Sequence, residues 1–307
     1  MHISVLAKEL IESLNISSSG IYVDCTGGGG GHSSSVLEKL NDKGRLIVLD
    51  RDIEAFNRLS SKFAEDNRVH VIHSNFADVD TVLNNLGIDK VDGIYADFGV
   101  SSFQLDEAER GFSFRKEGPL DMRMDVTNGE PVKEIVNSFS ESNLSTLIYK
   151  YGEEKFSKNI ASAIVKRRVI KPFETTLDLA SVIKDAIPKK FHKKGINPAT
   201  KTFQAFRIFI NSELTEIEVL MNKIAKLIKS GGRFSAISFH SLEDRIVKEA
   251  LVEYSSVCSC PPEIPICVCH KEQLFKIITR KPIVPCEKEI LENPLSRSAK
   301  LRVGERL

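Results

Sequence analysis

Along the first hundred residues, short unbroken apolar runs alternate with stretches where apolar positions recur every three or four residues. Gly20-Ile-Tyr-Val-Asp24 is an apolar run that ends in a glycine loop, Gly27 to Gly31. His32 to Leu40 reads as helix, and Arg45-Leu-Ile-Val-Leu-Asp50 as a second buried strand. Ile53 to Glu65 is helical, with Phe56, Leu59 and Phe63 on one face. Val69-His-Val-Ile-His73 is a third strand, and Asp78 to Leu86 a helix with Val79, Val82, Leu83 and Leu86 turned inward. Val91-Asp-Gly-Ile-Tyr-Ala-Asp97 is the fourth strand. Strands alternating with helices of this length predict βαβ units and a parallel sheet, an α/β fold.

After Asp97 the alternation stops. Ser101 to Gly129 has no clear period. Pro131 to Pro188 is helical in pattern, with interruptions near Lys171-Pro172 and at Lys189 to Gly195. Asn197-Pro198 then supplies an N-cap and a proline at the first helical position. The helix that follows carries Phe203, Phe206, Ile210, Leu214, Ile217, Leu220 and Ile224 at spacings of three and four, and is expected to run to Lys229. Gly231-Gly232 ends it, Arg233 to Phe239 is a fifth strand, and Leu242 to Tyr254 another helix. Leu274 to Thr279 and Lys300 to Val303 are candidates for a final strand pair. The expected organisation is a discontinuous sheet domain, 1–106 and 211–307, interrupted by an all-helical insertion, 107–210.

The length of 307 residues agrees with two domains at about 150 residues each. The overall charge of +1 conceals an asymmetry. From Lys155 to Phe209 thirteen basic residues face only Glu174, Asp178 and Asp185, a surplus of ten that leaves the rest of the chain at −9. A basic block on a mildly acidic body is the footprint of a polyanion partner, although such runs are also common on solvated helices. No apolar run has the length of a membrane span, and the N-terminus lacks the basic region of a secretory signal. Six cysteines are too sparse for a disulfide framework, so a reducing cytoplasm is the expected compartment. Oligomeric state stays open, a homodimer included.

A glycine-rich turn between a first strand and a first helix lets a ligand approach the backbone closely. Asp50, at the end of the second strand, is positioned to accept the ribose hydroxyls of an adenosine-type cofactor. The dinucleotide fingerprint needs a third glycine, and His32 or Ser33 stands there in either register. That disfavours a nicotinamide-linked dehydrogenase. Asp24, just before the glycines, suits a cationic or amine-bearing ligand. Cys258-Ser-Cys260 and Cys267-Val-Cys269 place four soft ligands within twelve residues, enough for a tetrahedral zinc site, with reduced surface thiols as the alternative.

Eight blocks in order now point to a family. They are Asp24-Cys-Thr-Gly-Gly-Gly-Gly-Gly-His-Ser33, Asp50-Arg-Asp52, Asn75-Phe76, Asp97-Phe-Gly-Val-Ser-Ser102, Gly118-Pro-Leu-Asp-Met-Arg-Met-Asp125, Asn197-Pro-Ala-Thr-Lys-Thr-Phe-Gln-Ala-Phe-Arg207, Ser238-Phe-His-Ser-Leu-Glu-Asp-Arg245 and Asn293-Pro-Leu-Ser-Arg-Ser-Ala-Lys-Leu-Arg302. Together, from His2-Ile-Ser-Val-Leu6 to the C-terminus, the chain resembles the bacterial small-subunit rRNA cytosine-N4 methyltransferases of the MraW, or RsmH, type. The resemblance implies a Rossmann-like S-adenosylmethionine-dependent methyltransferase sheet, and methylation of a cytidine N4 in the decoding region of 16S rRNA. It implies cofactor contacts at Gly30, Gly31, His32, Asp50, Phe76, Asp97 and Gln104. Many amino-methyltransferases end strand four with an acid or amide, Pro-Pro and an aromatic. This chain has Asp97-Phe98-Gly99-Val100, so Asp97 is a candidate either for the target amine or for the cofactor alone. Phe98, Ser101, Ser102, Asp121, Asp125 and His240 are candidates to line the base pocket. His240 reads equally well as a capping histidine, and Asp121-x-Arg123-x-Asp125 as an ion-pair knot.

Overall fold

The structure, a computed structural model, describes residues 4–258, 260 and 269–307. In chain order it runs α1 (Ala7–Leu14), β1 (Ile21–Asp24), α2 (Gly31–Leu37), β2 (Arg45–Asp50), α3 (Ile53–Lys62), β3 (Val69–His73), α4 (Val79–Asn85) and β4 (Val91–Asp97). Then come α5 (Ser102–Asp106), α6 (Val132–Ser138), α7 (Glu141–Gly152), α8 (Ser157–Ile170), α9 (Thr176–Ala186) and α10 (Thr200–Ile210). The last stretch is α11 (Glu213–Leu227), β5 (Ile228–Ser238), α12 (Ser241–Ser255), β6 (Phe275–Ile277), α13 (Glu287–Glu292) and β7 (Lys300–Arg306). These elements divide into two compact units, Met1–Gly99 with Leu214–Leu307, and Val100–Glu213.

The first unit holds a seven-stranded sheet in the order β3-β2-β1-β4-β5-β7-β6. The strands from β3 to β5 are parallel, and β7 is antiparallel to both its neighbours. Parallel strands are covered on both faces, which is why they read as unbroken apolar runs. Alternate side chains divide between two cores. Val23, Ile47, Leu49, Ile94, Ala96, Phe234 and Ala236 pack with residues of α4, α11 and α12. Tyr22, Leu46, Val48, Tyr95 and Ile237 pack with residues of α1, α2 and α3. Strand order reverses beyond β1, where β4 takes its free edge, and ligands of open α/β sheets sit at such a point, off the carboxyl ends. Asp24 pairs in register with Tyr95, and Asp97 with Ile237, so the ends of β1, β4 and β5 lie side by side.

The second unit has its own core. Leu147, Ile160, Ile164, Leu179, Ile183 and Phe206 of its helices close around Phe112, Leu120, Met122 and Met124 from the aperiodic stretch before them.

Three expectations are corrected. The single helix from Asn197 to Lys229 is two, α10 and α11. They part at Asn211 and Ser212, where Ser212 takes a left-handed backbone with φ 52°. Hydrophobic spacing continues across the break, so periodicity alone does not register it. Asn211 makes the break: its Oδ1 accepts the Met124 N–H at 2.8 Å, and its Nδ2 donates to the carbonyls of Met122 at 2.8 Å and Arg207 at 2.9 Å. At the other end, Asn197 Oδ1 accepts the Ala199 N–H at 2.9 Å, and regular helix begins only at Thr200. Strand β5 starts at Ile228 rather than Arg233. Gly231, with φ 79°, carries the bulge that shifts register between Val91 and Gly93.

Asn211 is buried, and replacing it leaves several backbone groups unsatisfied. Asn211→Ala should cost about 3 kcal/mol, on the scale of buried polar groups stripped of partners. Urea unfolding followed by circular dichroism measures it, and a loss below about 1 kcal/mol would show that the loop at Met122–Met124 is held by its apolar contacts alone.

Candidate active site

The loop after β1 is shaped by what glycine lacks. Gly28 and Gly30 adopt positive φ, 53° and 70°. A Cβ on Gly27 would stand 2.5 Å from Leu59 Cδ1 and 2.6 Å from Val48 Cγ1, and one on Gly31 would stand 2.0 Å from Ser4 Oγ. The backbone thus lies directly on α3 and on the N-terminal segment. Lys62, at the end of α3, donates to the carbonyls of Gly29 at 3.2 Å and Gly30 at 2.8 Å.

Asp24 does not face a ligand. It is 2% exposed, and its oxygens accept the Thr26 N–H at 3.0 Å and the Ser33 hydroxyl at 2.6 Å. Its charge is spent on holding the loop's two ends together. Asp50 accepts the Gly28 N–H at 2.7 Å on Oδ2 and the Asp52 N–H at 2.8 Å on Oδ1. Each of its oxygens keeps a second lone pair for a ligand hydroxyl. Burial pushes Asp50 up to about 6, against those two backbone bonds.

Asp97 ends β4, and its N–H donates to Thr26 Oγ1 at 2.6 Å. Its Oδ2 lies 3.7 Å from His32 Nδ1. Its Oδ1 is buried with no hydrogen-bond partner among the described residues. His32 Nε2 donates to the Val5 carbonyl at 2.8 Å, which fixes the ring and turns Nδ1 toward Asp97. Burial pushes Asp97 up to about 7; His32 opposes the shift, and the charges of Asp24 and Glu243 add to it. A half-buried acid with one buried, orphan oxygen is matched to an N–H or cationic group supplied from outside the chain. Together with the side-chain-free loop and the open lone pairs of Asp50, it fits an adenosine-type cofactor bearing an amine and a positive centre.

Phe76 opens a single 3-10 turn, Phe76–Asp78, which Asn75 caps through the Ala77 N–H at 3.0 Å. Its half-buried ring lies 5.7 Å from that of Phe98. Phe98 itself is 2% exposed within the core, so it does not line a base pocket. His240 is the N-cap of α12. Its Nδ1 faces the Glu243 N–H at 3.5 Å, and its Nε2 is 3.0 Å from Glu243 Oε1. Glu243 Oε2 accepts the N–H groups of Phe239 at 2.8 Å and His240 at 3.3 Å. The first unit therefore brings together Gly30, Gly31, His32, Asp50, Phe76 and Asp97 along the ends of β1 to β4.

Two contributors escaped sequence reasoning. Thr26 links the glycine loop to Asp97, and nothing in a lone threonine announces that. Glu243 shifts Asp97, and its signal was the capping-box spacing His240-x-x-Glu243.

Within the second unit, Gln104 forms a capping box with Ser101. Its Oε1 accepts the Ser101 N–H at 3.1 Å, and Ser101 Oγ accepts the Gln104 N–H at 3.2 Å. Asp121 and Arg123 form a two-bond ion pair, both contacts 2.8 Å, and Asp125 caps the Thr127 N–H, so this motif is a structural knot. The basic block divides in two. Arg167 pairs with Asp178 at 2.7 and 2.8 Å, and Arg168 donates to the Val136 carbonyl at 2.8 Å, so both brace helices. Lys189, Lys190, Lys193 and Lys194 are exposed around Phe191, which is itself 53% exposed. Cys258, Cys260 and Cys269 converge, and Cys267 lies outside the described residues.

Comparison with known proteins gives a consistent set of matches. The model of the MraW methylase family matches residues 1–307. "Ribosomal RNA small subunit methyltransferase H" of Clostridioides difficile strain 630 is 50% identical over 307 residues, 100% of this chain and 99% of that protein. The protein of the same name in Caldicellulosiruptor bescii is 50% identical over 306 residues, with the same coverage. A crystallised rRNA methylase from Streptococcus thermophilus aligns with 100% of this chain and 99% of its own, at 10% identity and a TM-score of 0.43.

The state of Asp97 has a consequence for stability. A carboxyl in an unfolded chain titrates near 4. Between about pH 4 and pH 7 the folded chain therefore holds a proton on Asp97 that the unfolded chain has lost, so this group subtracts stability as pH rises through that window. Asp97→Asn should remove the loss. The melting temperature of the variant, relative to the parent, should rise from about pH 4.5 to about pH 7.5 and then level off. A difference independent of pH would return Asp97 to the ordinary carboxylate range.

Proposed function

The chain belongs to the MraW methylase family, and from that premise we propose that it methylates the exocyclic N4 of one cytidine in the decoding region of 16S rRNA. S-adenosylmethionine is the cofactor, and when bound it supplies an electrophilic methyl group on sulfur. The sheet is the Rossmann-like scaffold of such enzymes, with the site off the carboxyl ends of β1 to β4. The observation that carries the choice of substrate is half-identity over the full length to proteins named for methylating small-subunit rRNA. The choice of N4 rests on the motif resemblance.

The chain's own residues have definable parts. Gly30, Gly31 and His32 form the wall against which the cofactor rests. Asp50 accepts ribose hydroxyls with its remaining lone pairs, Phe76 stacks on the adenine, and Gln104 adds a polar contact. Asp97 offers Oδ1 to a ligand N–H. A cytosine amine is a weak nucleophile because its lone pair is delocalised into the ring. On gaining a methyl group that nitrogen would have to shed a proton, and the carboxylate of Asp97, pushed up to about 7, would take it at neutral pH. His240 shapes this acid through Glu243 rather than by touching substrate. The exposed lysines around Phe191 grip RNA phosphates, and the chain acts in the cytoplasm on the small subunit or its late precursor. No helix among the described residues is long and apolar enough to cross a membrane.

Incubation of the protein with labelled cofactor and small subunits from a strain lacking it, followed by nucleoside analysis, should recover label in N4-methylcytidine. Label in 5-methylcytidine, in adenosine or in protein would overturn the N4 assignment, and no transfer would overturn the enzyme reading. In calorimetric titration, Asp50→Ala should weaken cofactor binding by about 1.5–3 kcal/mol, the scale of hydrogen bonds to a charged group. Unchanged affinity would remove Asp50 from the site. Reversing Lys189, Lys190, Lys193 and Lys194 to Glu should weaken RNA binding and flatten its dependence on salt, with cofactor affinity unchanged. An unaltered salt slope would leave these lysines as solvated surface.

A further inference from the structure

The cysteines play no part in the chemistry above, yet the fold gathers them. Cys258 and Cys260 follow the end of α12, and Cys269 precedes β6. The three Sγ atoms all lie within 4.8 Å of one another. The Cys269 and Cys258 sulfurs are 3.8 Å apart. That is far beyond the S–S bond of a disulfide, about 2.05 Å. Zinc binds thiolate at about 2.3 Å in a tetrahedral site, and the edge of such a tetrahedron is about 3.8 Å. The Cys260 N–H also points at Cys258 Sγ, 3.3 Å away.

We infer that Cys258, Cys260 and Cys269 are three thiolate ligands of a structural zinc ion, with a further donor completing the tetrahedron. Three thiolates occupy most of the coordination sphere with soft, negatively charged donors, which is the composition of a closed, structural site. Its position agrees. His240 caps the start of α12, and the cysteines lie beyond the far end of that helix, whose 15 residues span about 22 Å. The ion is therefore remote from Asp97.

What it does follows from what it joins. Leu274 donates to the Tyr254 carbonyl at 2.8 Å, and the Tyr254 and Phe275 rings stack at 5.5 Å, so the end of α12 and the start of β6 already meet. An ion held by cysteines from both flanks ties those two flanks to each other. Each thiol loses its proton on binding, so binding strengthens with pH and no oxidant is involved.

The test uses the full chain purified without chelator under reducing conditions. Elemental analysis should find about one equivalent of zinc. Cobalt exchanged into the site should show sulfur-to-metal charge-transfer bands and the intense visible bands of a tetrahedral site. A mercurial that titrates the thiols should release the zinc in step. Removing the metal should speed hydrogen exchange of the Leu274 amide, which donates to the Tyr254 carbonyl, while S-adenosylmethionine affinity stays within about twofold. Cys258→Ser with Cys260→Ser should abolish the charge-transfer bands; if that variant fails to fold, the mercurial titration of the unmodified chain still decides. Absence of zinc, a cobalt spectrum without thiolate bands, or mass mapping that finds these cysteines joined as disulfides under reducing purification would overturn the inference. Loss of cofactor affinity in step with zinc release would overturn its structural, remote character.

Discussion

A single buried carboxylate organises the ligand end of the sheet. Asp24 sits at the end of β1 with its oxygens committed to Thr26 and Ser33, so the five glycines between Thr26 and His32 are pinned at both margins. Everything nearby takes its position from that pin. Thr26, held by Asp24, offers its hydroxyl oxygen to the Asp97 amide and ties β4's end to the loop. Gly28, in the middle, gives its N–H to Asp50 and ties in the end of β2. Ser33 continues into α2 beside His32, which faces Asp97 from the other side. Glycine is needed for the loop's path, but Asp24 makes that path single-valued.

The arrangement leaves an imbalance. Asp24 is satisfied, Asp50 nearly so, and Asp97 is not. An unsatisfied buried oxygen costs about 1–3 kcal/mol. Natural chains place such costs where a ligand will relieve them. The empty-handed oxygen of Asp97 thus discriminates between ligands by what they can donate. A ligand without a donor there leaves the cost in place, and one with an amine removes it.

Much of this was legible in residue order, for identifiable reasons. Strands buried on both faces need unbroken apolar runs, so β1 to β4 stood out. The helices covering them kept one apolar stripe each, so α3 and α4 did as well. Asp50 and Asp97 were legible as acids at strand ends. What failed involved distant partners. The break between α10 and α11 depends on Asn211 meeting the backbone of Met122 and Met124, far back in the chain, while the apolar stripe from Phe206 through Ile210 to Leu214 runs on without a sign. Asp24 was misjudged because a carboxylate beside a glycine loop looks the same whether it faces a ligand or the loop itself. The hydroxyl of Ser33, nine residues on, decides between them.

The order of strands in the sheet sets a timetable. A ribosome releases the chain from its N-terminus, and the edge of β4 is made long before β5, because the whole second unit is synthesised in between. Strand β6 faces a shorter delay of another kind. It is made before β7, yet among the described residues β7 is its one partner in the sheet. Until β7 emerges and lays itself against β5, β6 has no edge to join. The nascent chain must therefore carry the open edge of β4 through the synthesis of the whole second unit, and the last strand made is one that inserts between two others.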